Sequence, residues 1–332
     1  MPTWLLHSLL HPPTRRLTTI TPQGTLQTVT HPLNETLSLL PLIAHLSSLD
    51  PTVQSATLCH PSVRYISKFP REGGFCGYRN IQMLTSHLID GTTRAAPLFP
   101  NRRVPNILEL QDAIEEAWDR GYNTSGRIET GGIRGSRKYI GTPEAQAFFL
   151  GRGIDCEALA YAREDVPGLH AWQRLLQAVE AYFASGSSSP LSTSPNKKIE
   201  TTALPPIYLQ HPGHSLKIVG IETRRILRVD SKSRTSNERP ISATNLLVFD
   251  PMFRPSPAIT KLLDEGSGHG SGRIGGTASG WTARLGKDSA RAGKKAHELL
   301  RAYRKGEGYL KRFPAFETIT LTGLGSVDSV MW

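Results

Sequence analysis

The clear helical periods of this chain, four between Cys76 and Ala184, come before its β-like runs between Ile207 and Phe249, and that segregation most constrains the fold. It predicts an α+β domain in which helices pack on a mainly antiparallel sheet. Ile81, Leu84 and Leu88 keep helical spacing until Asp90-Gly91, so a helix over Cys76 to Ile89 is entered through Gly73-Gly74. Asn106 caps a second helix, whose buried face is Ile107, Leu110, Ile114, Ala117 and Trp118 and which Gly121 stops. A third begins at Thr142-Pro143-Glu144, with threonine as cap, and ends near Gly151; a fourth runs from Gly168 to Ala184. Strands are expected at Ala158 to Ala162, Ile207 to Gln210, Ser215 to Glu222, Asn245 to Phe249 and Phe316 to Leu321, with a basic helix at Ser289 to Lys305.

The 332 residues are enough to bury a core without metal or disulfide staples. Residues 1–56 mix Thr, Pro and Leu, with a short helix at Glu35 to Leu49, and read as an N-terminal embellishment on a domain at 57–332. Stretches rich in Ser, Pro, Gly and Thr at 185–206, 231–240 and 266–288 read as flexible insertions. Between Ser267 and Arg312 there are eleven Lys/Arg and three Asp/Glu, so most of the net charge of +11 is local. Three cysteines, Cys59, Cys76 and Cys156, form neither a disulfide framework nor a CxxC pair, which points to a reducing compartment and to no metal or other cofactor. The apolar opening around Leu5 lacks the basic start of a secretory signal, and no run approaches the roughly 20 apolar residues of a spanning helix. The expectation is a soluble protein of the cytoplasm or nucleus, with no membrane partner.

Cysteines are more often structural than catalytic, and placement singles out Cys76. Two glycines before it let a substrate approach the backbone, and the helix that follows puts partial positive charge where a thiolate would form. A thiolate nucleophile needs a base, and the base an orienting acceptor. His214 opens one strand and Asp250 closes another; antiparallel pairing would bring both to one end of the sheet. Read alone, each is equally a turn residue. Gln210, four residues before His214, offers an amide donor for an oxyanion.

The block Phe75-Cys76-Gly77-Tyr78-Arg79-Asn80-Ile81-Gln82-Met83-Leu84 strongly resembles the nucleophile segment of the papain-like cysteine peptidases that process ubiquitin and the ubiquitin-fold modifier. Ile107 to Trp118, Tyr139 to Glu144, Tyr208 to Ser215 and Leu246 to Pro251 resemble further blocks of that family, in order. Because Gln210-His211-Pro212-Gly213-His214 precedes Phe249-Asp250-Pro251, the pattern is similar to the deubiquitinase branch with zinc-finger-bearing animal members, here without the fingers. The resemblance implies a papain-like core, Cys76 as nucleophile, His214 as base and acid, Asp250 as its orienter and Gln210 as oxyanion donor, leaving His211 outside the triad. The implied activity is deubiquitination, cleavage after the C-terminal Gly-Gly of ubiquitin or polyubiquitin. Gly74, Tyr139, Gly141 and Thr142 are then candidates for the walls of a channel that only two glycines fit. The alternatives are a protease for the ubiquitin-fold modifier or another ubiquitin-like protein, and a catalytically silent module that binds ubiquitin, or nucleic acid through the basic C-terminal helix.

Overall fold

The computed structural model describes residues 1–20, 25–162, 168–186, 198–229, 238–266, 278–285 and 288–324. The chain opens with helix α1 (Thr3–Leu10), hairpin β1 (Thr14–Ile20) and β2 (Leu26–Pro32), short β3 (Glu35–Thr36), α2 (Leu39–Leu49), β4 (Val53–Leu58) and short β5 (Tyr65–Ile66). Four helices follow: α3 (Cys76–Gly91), α4 (Ile107–Asp119), α5 (Ser125–Thr130) and α6 (Thr142–Gly151). Then come β6 (Ile154–Ala162), α7 (Ala171–Ser185), β7 (Ile199–Thr201), β8 (Ile207–His211), β9 (His214–Val229) and β10 (Glu238–Phe249). The chain closes through α8 (Pro257–Gly266), α9 (Ala278–Leu285), α10 (Ser289–Leu300), β11 (Arg304–Gly306), α11 (Glu307–Leu310) and β12 (Ala315–Leu324).

The main sheet runs β11-β10-β9-β8-β12-β6, antiparallel throughout, with β4 and β7 added beside it. This is the α+β class expected from the order of periodicities. Strand β9 organises the sheet. One edge pairs with β10 along its length; the other pairs first with β8 and then, beyond Gly220, with β4. Gly220 is required there, since a Cβ would stand 2.7 Å from the Thr57 carbonyl oxygen. One apolar core joins the sheet to α2, α7 and α10, and a second gathers α1, α3, α4 and α6. Helix α3 lies between sheet and helices and is buried around its whole circumference from Cys76 to Ile89. Its polar side chains are accommodated by partners: Arg79 pairs with Glu72, and Gln82 donates to the Pro105 carbonyl at 2.7 Å.

The structure corrects several expectations. The helix expected at Glu35 to Leu49 starts at Leu39; Ser38 turns left-handed at φ 58°, and Glu35–Thr36 pair with Tyr65–Ile66, where Arg64 holds the Glu35 carboxylate at 2.8 Å. The boundary drawn at 56/57 falls inside β4, and α1 and α2 supply Leu5, Leu9, Leu40, Ile43 and Leu46 to the two cores. Within the supposed flexible insertion 185–206, Ile199–Thr201 is a strand parallel to β4; within 266–288, Ala278–Leu285 is a helix that buries Trp281 and Leu285; Glu238 to Pro240, assigned to 231–240, extend β10. The remainder of those stretches, 187–197, 231–237, 267–277 and 286–287, lies outside the described residues. The basic helix stops at Leu300 instead of Lys305, because Arg304 is drawn into register opposite Leu247 and into ion pairs with buried Asp50 (2.9 Å) and Glu222 (2.6 Å). Among the described residues no helix is long and apolar enough to cross a membrane, and no cluster of three or more His, Cys, Asp or Glu is placed to hold a metal ion.

Candidate active site

Cys76 is the first residue of α3. Gly73 reaches it in the left-handed region at φ 85°, and no side chain caps the helix, so the amides of its first turn are left without a side-chain acceptor. Across from this turn, the β8–β9 hairpin closes on Gly213 at φ 83° and pairs His211 with His214 and Gln210 with Ser215. Strand β10 ends opposite Lys217 and places Asp250 at the same rim, as antiparallel pairing requires. The three residues singled out in sequence therefore come together. His214 Nε2 lies 2.8 Å from Asp250 Oδ1, and the imidazole is near enough to Cys76 to lower its thiol. Since Nε2 faces the carboxylate, the remaining ring nitrogen, Nδ1, serves the sulfur.

The electrostatics follow from these contacts. Burial pushes the Cys76 thiol up, but the hydrogen bond and charge of His214 and the bonds from Ser215 outweigh it, and the thiol titrates below its ordinary value. Burial likewise opposes the His214 imidazolium, yet the Asp250 hydrogen bond, the Cys76 bond and both charges raise it to about 9. Both shifts favour the charged forms, thiolate and imidazolium. The other two thiols contrast with it: burial pushes Cys59 far up and Cys156 up to about 12.

His211 is kept apart and neutral. Its ring stacks on Phe313 at 3.6 Å, Nε2 meets the Tyr309 hydroxyl at 2.7 Å, and burial lowers it to about 4. Gln210 reaches the nucleophile through Ser215, whose Oγ lies 3.8 Å from Cys76 Sγ and donates to Gln210 Oε1. The Gln210 amide N–H is turned to the His211 carbonyl at 3.4 Å, so service at an oxyanion requires the amide to rotate toward the sulfur.

On the other side of Cys76, Arg137, Tyr139 and Ile140 lie against Gly73, Gly74 and Gly77. The Tyr139 ring, 67% exposed, lies on Gly74 so closely that a Cβ there would be 2.6 Å from Cδ1. A Cβ on Gly77 would meet the Ile140 carbonyl oxygen at 2.8 Å. Gly141, not Thr142, is the cap of α6: its N–H donates to the buried Glu144 carboxylate at 2.7 Å. Thr142 is buried in the first turn, and its hydroxyl has no hydrogen-bond partner among the described residues. Of the four channel candidates, Gly74 and Tyr139 touch each other, while Gly141 and Thr142 form the start of α6.

Sequence reasoning missed five supporting residues. Asp250 Oδ1 also accepts from the Met252 N–H at 2.9 Å, and Lys305 Nζ lies 4.0 Å from Oδ2. The Tyr65 hydroxyl sits between the carbonyls of Asp250 (2.7 Å) and Phe253. Tyr208 and Ser215 are joined at 3.2 Å beside the nucleophile. For Ser215 a signal existed, because the tight hairpin fixes it opposite Gln210; Tyr65 and Lys305 arrive from distant segments and gave none.

Residues 52–300 match the family model described as Peptidase family C78. The chain belongs to that family. Among its relatives, the mouse (Mus musculus) Zinc finger-containing ubiquitin peptidase 1 is 34% identical over 201 residues, covering 60% of this chain and 30% of the mouse protein. Ubiquitin carboxyl-terminal hydrolase mug105 of Schizosaccharomyces pombe is 29% identical over 168 residues, 48% of this chain and 60% of the yeast protein. The C78 chain described here thus spans about a third of the length of the first relative and less than two thirds of the second. The crystal structure of UfSP from C. elegans superposes with a TM-score of 0.43 at 13% identity, over 95% of this chain and 52% of that one, a likeness too remote to bear on the site.

Proposed function

We propose that this C78 protein is a deubiquitinase, a thiol-dependent isopeptidase that cleaves after the C-terminal Gly-Gly of ubiquitin. The observation that carries the reading is the pairing of a lowered Cys76 thiol with an imidazole that Asp250 holds at 2.8 Å. In acylation the Cys76 thiolate attacks the terminal glycine carbonyl, and the C–N bond breaks as His214 Nδ1–H protonates the leaving lysine amine. Water then attacks the thioester with His214 as base, releasing the tail as a carboxylate and restoring the thiol. The uncapped amides at the start of α3, with Gln210 once its amide has turned, stabilise the oxyanion in both steps. Gly74 beneath the Tyr139 ring supports selection of a tail whose last residues carry no side chain. The names of the two relatives, both ubiquitin peptidases or hydrolases, favour ubiquitin over other modifiers.

The test uses full-length modifier probes with a reactive C-terminus, one built on ubiquitin and one on the ubiquitin-fold modifier. Wild-type protein is expected to form a covalent adduct with the ubiquitin probe, and Cys76→Ala to form none while its circular dichroism is unchanged. Labelling by the ubiquitin-fold modifier probe alone would reassign the substrate; labelling that survives Cys76→Ala would refute the nucleophile.

A further inference from the structure

Part of the basic excess between Ser267 and Arg312 lines a groove of about 390 Å³ that the triad does not use. Its walls are His170, Trp172, Lys311, Arg312, Phe313 and Pro314, with no carboxylate in the lining. Lys311 Nζ lies 5.3 Å from the centre of the Trp172 ring, and the Arg312 guanidinium covers the Tyr309 ring at 4.5 Å. Both cations are exposed. Lys311 shares its charge with Glu307 one helical turn earlier, whereas Arg312 has no carboxylate partner among the described residues.

The position of this groove is set by the chemistry. Under the reading proposed above, on which this inference rests, His214 protonates the leaving amine, so the acceptor lies on the His214 side of Cys76 and the ubiquitin tail on the Gly74 side. The His214 and His211 rings are 5.9 Å apart, and His211 stacks at 3.6 Å on Phe313, which is itself a groove wall. An extended acceptor chain crosses that distance in about three residues. It then meets two cations on aromatic platforms, a setting that favours carboxylate side chains through charge and offers the backbone a flat apolar surface.

We infer that this groove binds an acidic segment of the acceptor polypeptide close to the modified lysine, so that the enzyme prefers acidic leaving groups. The test begins without catalysis. Full-chain Cys76→Ala protein is titrated with fluorescent lysine-centred peptides of roughly a dozen residues, flanked by acidic or by neutral side chains, and anisotropy is read at low and high salt. The acidic peptide is expected to bind at least about tenfold more tightly, with the advantage abolished by Lys311→Glu/Arg312→Glu, reduced about threefold by the milder Arg312→Gln, and screened by salt. Equal affinity for the two peptides, or an advantage that survives the charge reversal, overturns the inference. Tighter binding of a single-stranded oligonucleotide through the same two cations also overturns it, in favour of nucleic acid. The second readout compares ubiquitin joined to a small dye with ubiquitin joined to each peptide. Preference for the acidic conjugate supports the inference, and equal turnover of all three conjugates counts against it. Failure of wild-type protein on the dye conjugate defeats the deubiquitinase reading instead, with the peptide titration still deciding the groove.

Discussion

Replacing Asp250 by asparagine keeps the shape of the side chain and removes one charge from His214. The imidazolium is held at about 9 against an ordinary value of 6.5. At 1.36 kcal/mol per pH unit, that corresponds to about 3 kcal/mol in favour of the charged form. The Asp250 and Cys76 contacts share this stabilisation; if Asp250 supplies half, Asp250→Asn lowers His214 by about one pH unit and costs about 1.5 kcal/mol. The assay is kcat/KM for a ubiquitin–dye conjugate across pH, read beside thiol alkylation at each pH. The active window is bounded on the acid side by loss of the thiolate and on the alkaline side by loss of the imidazolium. Asp250→Asn should therefore bring the alkaline limb down from near 9 toward 8, raise the acid limb as the thiolate loses its counter-charge, and reduce the optimum at least about tenfold. Stability carries the same sign. A raised imidazolium contributes in full below pH 6.5 and is lost as pH rises through about 9, so the variant should be less stable than wild type at pH 6 and indistinguishable at pH 10. A profile whose limbs overlay those of wild type would refute Asp250 as the partner of His214, whatever its effect on rate.

Three further outcomes are expected. His214→Ala should lose turnover, whereas His211→Ala should keep activity within about tenfold, because His211 is neutral and occupied by Tyr309 and Phe313; the reverse order in a dye-release assay would move the base. Gly74→Ala would drive a Cβ to 2.6 Å from the exposed Tyr139 ring, which can swing outward, so stability should change by less than about 0.5 kcal/mol while KM for ubiquitin conjugates rises about tenfold; an unchanged KM would remove Tyr139 from the tail channel. Lys217 is fully buried, its amine has no hydrogen-bond partner among the described residues, and burial lowers its affinity for a proton. Because the unfolded chain binds that proton more readily, stability lost at neutral pH returns as pH rises toward 10. Lys217→Met should therefore raise Tm by several degrees at pH 7, with a gain that shrinks on going to pH 10; a lower Tm at pH 7 would show the amine to be a useful contact.

The parts of the fold legible in the sequence are those whose signal is local and repeated. Helices α3 and α4 announce themselves through apolar spacing, and α4 through its capping residue as well: the Asn106 side chain accepts from the Glu109 N–H at 3.0 Å. The meeting of His214 and Asp250 was legible because antiparallel pairing is a geometric rule. What escaped is what tertiary contact creates from unpromising sequence. Ile199–Thr201 becomes a strand because β4 offers an edge, Ala278–Leu285 a helix because Trp281 finds a buried seat, and Arg304 leaves a helical pattern for two buried carboxylates. Thr142 has the composition of a cap, but Glu144 satisfies the Gly141 N–H from within the helix instead. At the candidate site, the expected oxyanion donor Gln210 is engaged by its strand partner Ser215, a detail of rotamer that no spacing encodes.

Asp50 deserves its place in any plan to dissect the chain. It ends α2, accepts from both Arg304 and His297, and is fully buried. An excision starting after this aspartate would strand the Arg304 guanidinium beside Glu222 with half its counter-charge gone, next to the strand β10 that delivers Asp250. The segment ending at Asp50 is thus a foundation of the candidate site's rim, and a fragment meant to keep that rim has to retain it.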